Sequence, residues 1–237
     1  MLLVPAVCHP QADYARERRW AEEITPSLVV GEPLYLELKS GRRFLAIYTP
    51  HAKTTAGVIL VHGMGVHPDW GLINGLRSLL SEQGYSTLSV QMPVLAADAR
   101  ADQYPPLFPE AAERLAAAVA FLRGKGLARI AVVSHSLGAR MTNCYFNMTP
   151  NPGITAWVAI GLSGAYAEPA TIGVPVLDLF GEKDLAAVPE AVRQRASGLK
   201  GLRGSAQIEV PGADHFFTGR EADLFRHVQV FLDRRLK

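Results

Sequence analysis

Apolar and polar residues alternate near the start of the chain and give way to continuous apolar runs further on. Residues 34–38 alternate well and residues 44–48 less cleanly, and Ser40-Gly41 lies between them, so this segment predicts a β-hairpin. From residue 58 onward, continuous apolar runs predict strands buried on both faces, and apolar residues at helical spacing predict helices between them. The predicted strands are 58–61, 85–90, 130–133, 156–162, 174–180 and 206–210. The predicted helices are 72–80, 109–123, 137–148, 188–199 and a closing helix with an apolar face from Leu224 to Leu232.

This alternation of strands and helices predicts a single α/β domain over residues 34–237. The domain is expected to have a mostly parallel central sheet flanked by helices on both faces. Residues 1–33 are predicted to form an N-terminal extension, in which the charged stretch 11–23 with Tyr14 and Trp20 indicates a surface helix. A length of 237 residues fits one such domain and leaves no room for a second of ordinary size.

Composition excludes several classes of protein. Apolar residues make up 49% of the chain and charged residues 19%, which is typical of a globular protein. The net charge of +2 is too small to indicate nucleic acid as a partner, and no basic stripe with interleaved aromatic residues is present. The two cysteines, Cys8 and Cys144, are too few for a disulfide framework or a cysteine-based zinc cluster. The near-zero net charge fits an uncharged small-molecule partner better than a polyanion, and the oligomeric state is left open.

The start of the chain leaves the compartment open. No apolar run approaches the roughly 18 residues that a membrane helix needs, so no membrane span is predicted. Residues 1–7 are apolar, but no basic region precedes them and the run is short for a signal peptide. An ordinary N-terminus is the favoured interpretation, with a cytoplasmic location by default. The alternative is the tail of an export signal that begins upstream, in a periplasmic or exported protein.

A candidate nucleophile follows the predicted strand that ends at residue 133. Ser134-His135-Ser136-Leu137-Gly138 matches a small-x-Ser-x-Gly elbow, in which a serine occupies a tight turn between a strand and a helix. Small residues at 134 and 138 allow the strained turn, which lifts the Ser136 hydroxyl above the sheet. The helix that follows directs the N–H of Leu137 toward the same place, where it would stabilise an oxyanion.

A second oxyanion donor is expected from the turn after residue 61. His62-Gly63-Met64-Gly65 stands there, and its glycines let the backbone approach a bound group closely. The N–H of Met64 is the natural counterpart of the Leu137 N–H. His62 and His67 also raise the question of a metal pair, but no clear third ligand accompanies them, so no metal site is predicted.

A base and an acid are expected at the ends of two later strands. His215 follows the strand 206–210 and precedes the last helix, which is where a base for Ser136 is needed. Asp184 follows the strand 174–180 and is the favoured carboxylate to orient that histidine, with Glu168 as its main rival. Asp214 adjoins the base and is interpreted as part of a local turn.

Four motifs carry a resemblance to a known superfamily. The motifs at 61–65, 134–139, 181–184 and 213–216 follow the order found in the α/β-hydrolases, and the last three carry the serine, the acid and the histidine. The sequence resembles that superfamily from about residue 34 to its end, with one departure, because Ser134 stands where the family usually has glycine. Segments 67–70 and 91–93 resemble a little-characterised bacterial branch for which no substrate is known.

The resemblance implies an α/β-hydrolase fold and a serine hydrolase mechanism without a metal or organic cofactor. Ser136 would attack an acyl carbonyl, His215 would take its proton, and Asp184 would orient the imidazole. The Met64 and Leu137 amides would form the oxyanion hole, and water would release the acyl-enzyme. Carboxylic ester hydrolysis is the favoured activity, with thioester or peptide hydrolysis, or a catalytically idle scaffold that acts as a binding protein, as alternatives.

The predicted site is open and shallow. Only about a dozen residues separate the strands 156–162 and 174–180, too few for the helical lid domain that many α/β-hydrolases insert there. The stretch 93–108 is the expected partial cover instead. The residues predicted to contact the substrate are His62, Gly63, Trp70, Tyr104 and Tyr166.

Overall fold

The structure is a computed structural model that describes residues 11–237. The interpretations of residues 1–7 and of Cys8 concern residues outside this range.

In residues 11–237 a single sheet of eight strands forms the centre, in the order β1-β2-β4-β3-β5-β6-β7-β8. β1 and β2 form the predicted antiparallel hairpin, β2 pairs antiparallel with β4, and the pairs from β4 through β8 are parallel. The strands are β1 (Glu32–Glu37), β2 (Arg43–Thr49), β3 (Ala56–Val61), β4 (Ser86–Val90), β5 (Arg129–His135), β6 (Ala156–Ile160), β7 (Val176–Lys183) and β8 (Ala206–Asp214). The mostly parallel sheet and its N-terminal hairpin are thus confirmed.

Helices cover both faces of the sheet. They are α1 (Tyr14–Ile24), α2 (Gly71–Glu82), α3 (Phe108–Gly124), α4 (Leu137–Met148), α5 (Pro169–Ile172), α6 (Val192–Leu199) and α7 (Glu221–Leu236). Alternate residues of β3 enter two separate apolar clusters: Ile59 faces the cluster with α3 and α4, and Leu60 faces the cluster with α2 and α7. A strand buried on both faces needs apolar residues throughout, and the sequence of β3 is accordingly a continuous apolar run.

Several elements differ in detail from the sequence pattern. The four-residue helix α5 is too short to show periodicity. The predicted helix 188–199 starts as a 3-10 turn, Pro189–Ala191, before α6 begins at Val192. β8 continues past residue 210 to Asp214, with a register shift against β7 between Gly181 and Lys183. Because β8 extends this far, the chain reaches the edge of the sheet immediately before His215.

The first helix is fastened to the domain by a buried ion pair. Arg114 of α3 donates from Nη1 to Glu17 Oε2 at 2.9 Å, and both side chains are almost fully buried. Burial raises the pKa of Glu17 and the Arg114 charge opposes that rise. α1 therefore lies on the surface with one face packed against the domain. The boundary between an N-terminal extension and the domain, between residues 33 and 34, stays a prediction.

The segment that joins β6 to β7 at the carboxyl edge of the sheet is short. Within residues 11–237, the four-residue α5 is the only helix between β6 and β7, so the strands are joined without a lid domain. No helix in this part of the chain is long and apolar enough to cross a membrane.

Candidate active site

Ser136 occupies a strained turn between β5 and α4. Its backbone has φ 56° and ψ −123°, in a region that residues with a side chain rarely adopt. Its N–H donates to the Ile160 carbonyl at 2.8 Å, which ties the turn to β6. A Cβ at Gly138 would lie 2.3 Å from the His62 carbonyl oxygen, so the residue two positions after the serine has to be glycine. The predicted elbow is therefore present in the geometry of the backbone.

Two further loops bring His215 and Asp184 to this serine. The distance from His215 Nε2 to Ser136 Oγ is 2.8 Å, and the distance from His215 Nδ1 to Asp184 Oδ1 is 2.5 Å. A carboxylate only accepts, so Nδ1 carries the proton and Nε2 is free to accept from the serine hydroxyl. The Asp184 carboxylate is fully buried and the His215 side chain nearly so. The three side chains form one continuous line of hydrogen bonds.

Local contacts hold the Asp184 carboxylate in this orientation. Its Oδ2 accepts from the Gly181 N–H at 3.2 Å and its Oδ1 accepts from the Leu185 N–H at 2.8 Å. The rival carboxylate, Glu168, lies exposed at the start of α5 and has no hydrogen bond to His215 within the described chain. Asp214 Oδ1 accepts from backbone N–H groups of its own turn, which lowers the pKa of Asp214. This is the local role expected from its position.

The two expected oxyanion donors lie beside the serine. Leu137 is the first residue of α4, directly after Ser136. The turn that carries Met64 packs against the nucleophile, because a Cβ at Gly63 would lie 3.2 Å from Ser136 Cβ. Across residues 11–237 we find no protein acceptor for the backbone N–H of Met64 or of Leu137. Their role as an oxyanion hole stays a prediction.

Arg16 of the first helix holds the Met64 turn in place, and sequence reasoning missed it. Its Nη2 donates to the Gly65 carbonyl at 3.1 Å and its Nη1 donates to the Leu95 carbonyl at 2.8 Å. The guanidinium also lies over the Trp20 ring, 4.4 Å from its centroid. No local motif marks such a contact, because the partners are 49 and 79 residues away along the chain.

His135 and Gly161 support the histidine of the site. The His135 Nε2–H donates to the His215 carbonyl at 2.9 Å, and the two rings are 4.7 Å apart. Burial, reinforced by the neighbouring His215, lowers the pKa of His135 to about 4, so its ring is neutral near pH 7. A Cβ at Gly161, where φ is +58°, would lie 3.0 Å from His215 Cε1. Glycine at this strand end therefore makes room for the imidazole.

The residues predicted to contact the substrate fall into two groups. Gly63 adjoins Ser136, and Trp70 packs edge-on against Phe216, the residue after His215, with ring centroids 5.5 Å apart. His62, Tyr104 and Tyr166 are instead buried in the core.

Each of these three buried side chains packs inside the protein. His62 Nε2 accepts from the Met92 N–H at 2.9 Å, its Nδ1 pairs with the Gly63 carbonyl at 2.8 Å, and burial lowers its pKa to about 3. The Tyr104 hydroxyl accepts from the Leu95 N–H at 3.2 Å, and Tyr166 packs edge-on against Trp157. The expectation that they line a substrate pocket has to be corrected, because an aromatic residue in the sequence pattern can equally well be a core residue.

Comparison with known proteins supports the fold. No protein-family model and no curated protein sequence matches the chain. Among solved structures, a dienelactone hydrolase from Anabaena variabilis is similar with a TM-score of 0.70 at 16% identity, over 87% of this chain and 98% of that one. A serine hydrolase from Xanthomonas campestris described as having no lid is similar with a TM-score of 0.65 at 16% identity, over 87% and 95% of the two chains.

The chain has the α/β-hydrolase fold. An esterase from Pyrococcus furiosus shares it, with a TM-score of 0.70 at 15% identity over 87% of this chain and 92% of that one. The fold expected from the four motifs is thus confirmed. Because the α/β-hydrolase fold places its sites at the carboxyl ends of the strands, the cluster of Ser136, Asp184 and His215 stands where an active site is expected.

Proposed function

We propose that this α/β-hydrolase-fold protein is a serine hydrolase that cleaves a carboxylic ester through an acyl-enzyme. The observation that carries the proposal is the unbroken line of hydrogen bonds from Asp184 through His215 to Ser136, at 2.5 and 2.8 Å. A serine hydroxyl is a weak nucleophile on its own and becomes reactive when an adjacent base takes its proton. His215 is such a base, and the buried Asp184 keeps its proton on Nδ1.

In the first half of the reaction, Ser136 Oγ forms a bond to the ester carbonyl carbon while His215 Nε2 takes the hydroxyl proton. The carbonyl electrons move onto oxygen, and the Met64 and Leu137 N–H groups stabilise that negative charge. When the intermediate collapses, the bond to the alcohol oxygen breaks and His215 returns its proton to that oxygen. The products are the free alcohol and an ester of Ser136.

In the second half, water takes the place of the serine hydroxyl. The water oxygen attacks the acyl carbon while His215 accepts a proton from that water. His215 then gives the proton to Ser136 Oγ as the bond between Oγ and the acyl carbon breaks and the acid leaves. The absence of a lid domain between β6 and β7 favours free access of water and substrate. Every atom and proton is accounted for by substrate, water and the three side chains.

An apolar rim around the site supports an uncharged acyl substrate. Three exposed hydrophobic side chains stand beside the reacting groups: Met64 in the oxyanion turn, Leu185 next to Asp184 and Phe216 next to His215, at 42%, 59% and 48% exposure. Exposed apolar side chains beside the reacting groups offer a surface to the apolar part of a substrate. Esters, thioesters and peptides are all acyl compounds, and a panel of p-nitrophenyl esters, thioesters and anilides would separate them.

Labelling with a fluorophosphonate probe tests the proposal directly. The probe reacts with an activated serine, so the wild-type protein should be labelled and Ser136→Ala should not. Ser197→Ala, at an exposed position on α6, is a matched control that should label normally. If folded wild-type protein is not labelled, the serine is not activated, and the idle-scaffold alternative becomes the better description.

A further inference from the structure

An apolar groove runs between α2 and α7, beside the candidate active site. Both helices begin at the carboxyl edge of the sheet and pack on the same face of it, against one apolar cluster. The groove has a volume of about 340 Å³, within the range of small-molecule sites. Its lining is mostly apolar, with Trp70 and Phe216 at the edge that carries the site and Leu79 furthest along α2.

A glycine inside α2 keeps this groove open. Gly75 lies in the middle of the helix, where glycine is less favourable than alanine. Packing does not require it, since a Cβ added at Gly75 would meet no atom within 4 Å. A side chain at this position would instead extend into the groove that Gly75 lines. The unfavourable residue is explained if the space itself is occupied by a ligand.

Trp70 and Phe216 form one end of the groove, and Phe216 also contacts the catalytic histidine. The rings of Trp70 and Phe216 pack edge-on there at 5.5 Å, and the Phe216 ring lies 5.2 Å from the His215 ring. Phe216 is 48% exposed although it is a large apolar residue. A ligand that occupies this end of the groove therefore lies against the Phe216 ring, which in turn contacts the imidazole of His215.

We infer that the groove binds the apolar alcohol portion of the ester substrate. The inference rests on the proposed function, in which His215 gives its proton to the leaving alcohol oxygen, so the alcohol has to lie on the side of the histidine. The end of the groove formed by Trp70 and Phe216 lies on that side, and the apolar lining suits a hydrocarbon chain. Among the described residues that line the groove, Glu221 is the one that is charged, and its carboxylate accepts from the Gly219 N–H, which disfavours an anionic leaving group.

Two series of esters separate the alcohol side from the acyl side. The first series is acetate esters of ethanol, butanol, hexanol and octanol, and the second is ethyl esters of acids of the same lengths, with acid release followed by titration. In wild-type protein kcat/KM should rise along the alcohol series, by up to roughly fourfold per buried methylene. In Gly75→Leu the ratio of kcat/KM for octyl acetate to kcat/KM for ethyl acetate should fall toward one. The increase of kcat/KM with chain length in the acyl series should stay as in wild type.

Two further variants locate the effect. Leu79 lies eight residues beyond Gly71, about 12 Å along the helix, so Leu79→Gln should reduce the rate for octyl acetate more than for butyl acetate. Gly124→Leu, at the end of α3, is the matched control, because a Cβ at Gly124 also meets no atom within 4 Å. It should keep the wild-type octyl-to-ethyl ratio. Thermal unfolding of each variant checks that it is folded.

The outcomes distinguish the groove from the proposed function. If wild type is labelled by the fluorophosphonate and hydrolyses ethyl acetate, but Gly75→Leu keeps the wild-type alcohol slope, the groove inference is wrong and the proposed function stands. If Gly75→Leu changes only the acyl slope, the groove binds the acid portion and the assignment to the alcohol is overturned. If folded wild type neither labels nor hydrolyses any ester, the proposed function fails and the inference fails with it.

Discussion

Arg16 on the first helix donates a hydrogen bond to the carbonyl oxygen of Gly65, at 3.1 Å. Gly65 directly follows Met64, whose N–H is the expected oxyanion donor. The same guanidinium reaches Leu95, after β4, so one side chain connects three separate parts of the chain. The N-terminal helix thus helps to position a turn of the candidate active site, and is more than a covering for the domain.

Arg16 is expected to act as a positioning residue for the oxyanion turn. Without its hydrogen bonds the Met64 N–H should lose its alignment, and small displacements of a catalytic group reduce turnover strongly. We expect Arg16→Gln to lower kcat by about ten- to a hundredfold with little change in KM. Arg16→Lys, which keeps one charged donor, should recover part of the loss. Arg18→Gln, at an exposed position on the same helix, is the control and should keep the wild-type kcat. If Arg16→Gln also has the wild-type kcat, Arg16 does not position the turn.

Asp184 rather than Glu168 is expected to be the acid of the triad. Asp184→Asn should lower kcat by about three to four orders of magnitude, because the amide no longer holds the His215 proton on Nδ1. Glu168→Gln should leave kcat unchanged, since this exposed side chain does not reach His215. Steady-state kinetics with a p-nitrophenyl ester measures both, alongside circular dichroism. If Glu168→Gln lowers kcat and Asp184→Asn does not, Glu168 is the acid of the triad instead.

The serine at position 134 is expected to contribute to stability. The Trp157 indole N–H donates to Ser134 Oγ at 2.7 Å, and both residues are fully buried. Ser134→Ala should lower the free energy of unfolding by about 1–3 kcal/mol, because it leaves a buried donor without a partner. Adding Trp157→Phe removes that donor, so the double variant should lose less than the sum of the single variants. Denaturant unfolding of the four proteins measures this coupling, and strictly additive losses would show that the hydrogen bond contributes nothing.

Buried His62 is expected to make stability depend on pH. Burial lowers its pKa to about 3 in the folded protein, and the charge of Arg114 acts in the same direction, as do His67 and His135 when they are protonated. The unfolded chain binds a proton near pH 6.5 and the folded chain does not. The contribution of His62 is therefore fully present above about pH 6.5 and is lost as the pH falls toward 3, by up to about 1.4 kcal/mol per pH unit.

His62→Gln should flatten this dependence. Urea unfolding at pH 7.5 and pH 5.5 should show a larger loss of unfolding free energy in wild type than in His62→Gln, by about 1 kcal/mol. Comparing the two proteins cancels the contributions of the other buried groups, including His135 and Glu17. His51→Gln, at an exposed position, should behave as wild type. Equal losses in wild type and His62→Gln would mean that His62 binds its proton in the folded state.

Most of the secondary structure was predictable because each element has its own local pattern. The helix 137–148 was expected at the bounds that the structure shows, and most of the strands were expected to within a few residues. The positions of Ser136, Asp184 and His215 follow from the same patterns. Each comes directly after a strand, β5, β7 or β8, and the carboxyl ends of parallel strands meet at one edge of a sheet.

Only the tertiary structure decided which residues meet at that edge and which turn away from it. Hydrophobic periodicity indicates that a residue is buried, but not whether it faces a substrate or the core. Tyr104 and Tyr166, which the sequence predicts in a pocket, are packed inside. The hydrogen bond of Arg16 to Gly65 and the groove between α2 and α7 join segments far apart in sequence. Such contacts depend on strand order and helix packing, which arise when the whole chain folds and leave no signal in any one segment.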